Sequence, residues 1–197
     1  MPLTGAGEVT HRSQVHPLTP ALLAAAGLLA VAGFAKLVRP AGTSQALRTQ
    51  GLPARWWLVR LLGVAEVLVA AAALLEVRFG AALLAAAYGA FTLFVVTALV
   101  RGRPLTSCGC FAEPDLPPTS VHVVVTAVLA VCSGAIAAGS GGGLPDLLDG
   151  PASPAVAVVG SAALVGWLSY LVLAELPRLV AELVRGGSGR PLGSARP

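Results

Sequence analysis

Apolar and polar positions along this chain do not alternate; they fall into long blocks. Five blocks are apolar almost throughout: roughly Leu18 to Val38, Trp57 to Leu75, Phe79 to Val100, Val121 to Gly139, and Ala155 to Leu176. Each has about the 20 residues that an α-helix needs to cross the hydrocarbon core of a bilayer. The dyad repeat of a membrane β-barrel is absent, and a spanning segment that is not in a barrel must satisfy its backbone as a helix. The pattern therefore predicts an all-α, polytopic membrane bundle. Pro20 suits a first helical turn and Pro177 stops the fifth block. The chain divides into a polar N-terminal segment (1–17), a four-helix region (18–139), a Gly/Pro-rich loop (140–153), a fifth transmembrane helix (154–177) and a flexible tail rich in Gly, Ser, Arg and Pro (178–197).

Composition narrows the class further. Of 197 residues 56% are hydrophobic and 11% charged, less than half the charge a water-facing domain carries. Disorder is excluded, because disordered chains are charge-rich. Nucleic-acid binding is excluded as well: the net charge is only +4, and the basic residues are scattered between apolar blocks. Ala30-Val31-Ala32 has the form of a signal-peptidase site. The apolar run continues to Val38, however, and only Arg12 precedes it against Glu8, so the first block is read as a retained helix.

Charge placement gives an orientation. With five spans, the N-terminus, the turn between the second and third blocks and the loop between the fourth and fifth share one side, which carries Arg12 and Arg78. The opposite side carries the other 11 of 13 basic residues: Lys36, Arg39, Arg48, Arg55 and Arg60, then Arg101 and Arg103, then four in the tail. The positive-inside rule then puts the N-terminus outside and the C-terminus in the cytoplasm of a plasma-membrane protein. The segment after the third helix falls on the cytoplasmic side.

Few positions can carry chemistry. Cys108-Gly109-Cys110-Phe111 lies in that segment. Two cysteines one residue apart can bridge only through a tight turn, which Gly109 permits. A ring so small is strained, and strained bridges exchange readily. Arg101 and Arg103 are close in sequence, and nearby positive charge favours the reactive thiolate. The alternative is two ordinary cysteines in a turn. Metal binding lacks the further ligands that zinc requires. Cys132, inside the fourth block, reads as a packing residue.

Glu66 stands in the middle of the second block, where an ionisable side chain must be paired, protonated or turned to a polar cavity. It could lock the bundle or handle protons beside a redox centre. Lys36 is its candidate partner, with snorkelling to the interface as the simpler expectation. His122 opens the fourth block, near enough in sequence to approach the cysteines, although a histidine there is commonly an amphipathic end residue. Trp56 and Trp57 mark an interface. Ala82, Ala86 and Ala90 form a small-residue stripe suited to close helix contact.

Gly33-Phe34-Ala35-Lys36-Leu37, then Gly51-Leu52-Pro53, Glu66, and Cys108-Gly109-Cys110-Phe111 follow one another in an order that resembles the methylamine utilisation MauE family, which is related to DoxX proteins. The resemblance covers roughly Leu18 to Ser133 and implies a four-helix membrane core associated with thiol–disulfide chemistry. It further implies maturation of a methylamine-dehydrogenase-type enzyme, with a thioredoxin-like protein as partner. Two features depart from the family pattern. Ala112 stands where a glycine usually follows the phenylalanine, and the fifth helix is an addition. The family's client is extracytoplasmic, whereas the charge count puts Cys108 and Cys110 in the cytoplasm, where a cysteine pair is a transient dithiol. A membrane quinone is conceivable as electron partner, but no sequence feature specifies a quinone pocket. Two other classes are a non-catalytic membrane scaffold of a redox complex and a small proton-coupled transporter using Glu66. The latter lacks an inverted repeat.

Overall fold

In the computed structural model, residues 17–75, 77–101, 120–139, 152–175 and 179 are described. Every regular element among them is helical. The order is α1 (Thr19–Val38), α2 (Ala41–Thr49), α3 (Trp56–Leu75), α4 (Val77–Val100), α5 (Ser120–Ala138) and α6 (Ala152–Tyr170), which continues into a π-helical turn at Leu171–Glu175. Five of the six are long and apolar enough to cross a membrane. They correspond to the five apolar blocks, so the helical bundle stands as expected; α6 begins two residues before the predicted start of the fifth helix.

The sixth helix, α2, was not expected. Its nine residues follow Pro40, and it ends at Gly51, where φ is 76°. There the N–H of Leu52 donates to the carbonyl of Leu47 and that of Gly51 to the carbonyl of Arg48, both at 2.9 Å. This is the paired closure of a Schellman cap, which requires a left-handed residue at Gly51. The Gly51-Leu52-Pro53 sequence is thus the stop signal of a helix and not merely a loop. Gly42, Thr43, Ser44 and Ala46 of α2 are buried, while Gln45 and Arg48 are exposed.

α1 lies at the centre, in contact with α3, α5 and α6, while α4 bridges α3 and α5. Burial follows from that position: ten residues of α1 are buried, against one of α6. α5 buries His122, Thr126, Leu129, Ser133 and Ile136, spaced alternately four and three apart, the period of a helix seam packed along its length. α4 answers with Ala81, Leu84, Tyr88, Val95 and Ala98. The alanine stripe lies elsewhere. Ala82, Ala86 and Ala90 are all exposed, so the stripe is not buried in a helix contact.

The outer surface is apolar. Phe34, Leu68, Leu93, Val131 and Trp167 are each more than half exposed, as suits side chains whose solvent is lipid. Two hydroxyls on the spans bond within their own helices: Thr97 donates to the Leu93 carbonyl at 2.7 Å and Ser161 to that of Ala157 at 2.8 Å.

Candidate functional site

α1 and α3 run antiparallel and meet at two glycines. A Cβ placed on Gly33 would stand 2.7 Å from the Gly63 carbonyl oxygen, and one on Gly63 would stand 2.7 Å from the Gly33 carbonyl. No side chain fits between the backbones there. Lys36 and Glu66 lie one turn to either side of this contact, so the lysine reaches back across it. Its Nζ donates to a Glu66 carboxylate oxygen at 2.7 Å. The two side chains are 8% and 15% exposed. The snorkelling expected of Lys36 is therefore overturned: its ammonium turns inward to the carboxylate. An ion pair in an apolar bundle holds because each charge is neutralised at contact distance.

The pair forms part of the wall of a cavity of about 300 Å³. Apart from Lys36, Glu66, Thr43, Thr126 and Tyr88, the lining is apolar. Tyr88 turns its ring to the cavity, and its hydroxyl donates to the Ala25 carbonyl at 2.8 Å. On the far wall the Thr126 hydroxyl donates to the His122 carbonyl at 2.7 Å and lies 2.8 Å from that of Thr92. Thr43, Ala46 and Leu47 of α2 cover one end, and Leu173 of the π-helical turn reaches the cavity from α6. Single π-helical turns within helices are frequent at functional sites.

His122 is 1% exposed in the first turn of α5, so it is a core residue and not an amphipathic end. Cys132 carries a free thiol and is half-buried. Cys108 and Cys110 lie outside the described residues. The described ends on either side of them, Arg101 after α4 and Ser120 at the start of α5, are at the same end of the bundle as α2; there Phe94 and Ala98 pack on Ala46. Trp56 and Trp57 are exposed at that end, with the Arg60 guanidinium 5.1 Å from the Trp56 ring centre. No group of metal-ligating side chains occurs among the described residues.

A bundle of apolar helices closed around an intramembrane ion pair and a lipophilic cavity defines a multi-pass membrane protein. Within that class, the model of the methylamine utilisation protein MauE matches residues 14–139, nearly two thirds of the chain, and the chain belongs to this family. The matched span takes in α1 to α5 and stops before α6. No curated protein and no solved structure matches the chain.

Proposed function

We propose that this protein is a membrane thiol–disulfide module serving the maturation of a partner enzyme. Its working pair is Cys108 and Cys110, and its partner is a thioredoxin-like protein. The observation that carries this is the Cys-Gly-Cys sequence itself, set between α4 and α5 in a chain of the MauE family. In the exchange a thiolate of the reduced carrier attacks the disulfide of the other, and a mixed disulfide forms. The second thiolate of the attacker then displaces it. One dithiol becomes a disulfide, one disulfide becomes a dithiol, and two electrons and two protons change hands. The reverse direction uses the same steps.

The Lys36–Glu66 pair ties α1 to α3 beneath the end of the bundle from which the cysteine segment departs, and gives that end a fixed shape. The charge bias of 11 against 2 supports a cytoplasmic position for that end, where the dithiol would cycle and not persist as a bridge.

A trapping variant tests the proposal. Cys110→Ser leaves the attacking thiol without its resolving partner, so a mixed disulfide with a second protein should accumulate on non-reducing gels and vanish on reduction. The Cys108→Ser/Cys110→Ser double variant should form none and should lose function in cells. Full function of the double variant would sink the redox proposal and leave a scaffold that anchors a redox complex through its helix faces.

A further inference from the structure

The cavity beside the ion pair is sized and furnished for a ligand. At about 300 Å³ it falls within the range of small-molecule sites. Leu62 on α3 and Ala90 on α4 line it and are also exposed on the outside of the bundle, so it opens between these helices. At their connected ends α3 and α4 are in close contact, since a Cβ on Gly80 would collide with the backbone of Ala72 and Ala73. The opening is therefore confined to the half of the groove near α2. A molecule dissolved in the membrane can enter there without crossing water.

The polar groups specify the head of that molecule. Among the described residues, Lys36 makes one hydrogen bond, to Glu66, and an ammonium carries three N–H donors. A carboxylate accepts at two oxygens, and one of them receives Lys36. The wall thus presents free donors and a free acceptor side by side. The pair is net neutral, so a charged ligand would leave the site with an uncompensated buried charge. A neutral head is favoured. A carbonyl oxygen accepts from Lys36, and a hydroxyl donates to Glu66. Beside the pair stand Tyr88, Phe91 and Phe94, three aromatic rings that suit a flat ligand.

We infer that this cavity binds a lipophilic ring compound of the quinone/quinol class, with its oxygens at Lys36 and Glu66 and its tail leaving between α3 and α4. Adjacent donor and acceptor serve both the carbonyl and the hydroxyl form, so the site holds the carrier in either oxidation state. The site is built from α1 to α6 alone and stands whether or not Cys108 and Cys110 exchange.

Binding of a decyl-tailed benzoquinone to the full chain in lipid nanodiscs tests this, read as saturable binding and as a rise in melting temperature. The wild-type chain should bind. Ala87→Phe, which pushes a ring into the cavity from α4, should weaken binding at least tenfold. Lys36→Met/Glu66→Leu, which removes both head contacts while keeping an apolar fit, should do the same and covers the case in which Ala87→Phe does not fold. Cys108→Ser/Cys110→Ser should bind as the wild type does, which separates this site from the fate of the exchange proposal. Absence of saturable binding to the wild type, or unchanged affinity in both cavity variants, overturns the assignment. Equal competition by a diacylglycerol also overturns it, making the cavity a site for neutral membrane lipid.

Discussion

At the scale of single residues, Lys36 and Glu66 are the most exacting pair in the molecule. Neither charge is tolerable alone at this depth, so the cost of losing one partner exceeds what the pair itself contributes. Glu66→Ala should lower stability by about 3–5 kcal/mol because it strands the lysine. The double replacement Lys36→Met/Glu66→Leu should recover most of that loss. Thermal unfolding in detergent, followed by helical circular dichroism, measures both; a double variant as unstable as Glu66→Ala would show that the charges do not act as a pair. Both residues stood out in the sequence, Glu66 by its depth and Lys36 by its place near a helix end. Their meeting was a candidate and not the expectation, because snorkelling is the simpler use for a lysine two residues from the end of its helix. Lys36 turns inward to Glu66, and Thr43, Ala46 and Leu47 of α2 line the same cavity. That helix has nine residues and a polar face, so it leaves no apolar block. Its signature was there in the start and stop signals, Pro40 ahead and Gly51 and Pro53 behind.

At the scale of helices, the Gly33–Gly63 contact sets how close α1 and α3 come, and hence whether Lys36 can span to Glu66. Gly63→Val should force the helices apart and cost about 1–3 kcal/mol as an overpacked contact. Gly27 and Gly89 have open space where a Cβ would stand. Gly27→Ala should therefore be neutral or raise stability by up to about 1 kcal/mol through helix propensity. Comparing the melting temperatures of the two variants separates a packing glycine from an incidental one; equal effects would contradict the contact. Gly33 announced itself by its place beside Lys36, but Gly63 did not, in a chain with 23 glycines. The alanine stripe failed for the same reason. Where alanine is everywhere, four-residue spacing does not say which face is covered, and the covered face of α4 is the neighbouring one through Ala81, Leu84 and Tyr88. The seam of α5 was hidden in a different way. His122, Thr126 and Ser133 occupy core positions, so the period that matters there is partly written in polar residues, which no apolar template follows.

At the scale of the whole molecule, five long apolar helices put α2 and the described ends on either side of the cysteine segment at one end of the bundle. Among the described residues, six of the seven basic side chains, all but Arg78, belong to this end. The count of spans was legible from the blocks of apolar residues, because length and composition suffice for that decision. The cavity was not, since it depends on where α2 and the π-helical turn bring Leu47 and Leu173. The π-helical turn that continues α6, beyond the family match, adds Leu173 to its lining. The proposed chemistry is that Cys108 and Cys110 cycle between dithiol and disulfide. The most direct measurement is the state of those thiols in living cells. In a Cys132→Ser background, cells are quenched with acid and alkylated with a maleimide before and after reduction. A cycling pair predicts a population in which both thiols become alkylatable only after reduction. Complete alkylation of both without reduction, unchanged by it, would contradict a cycling pair.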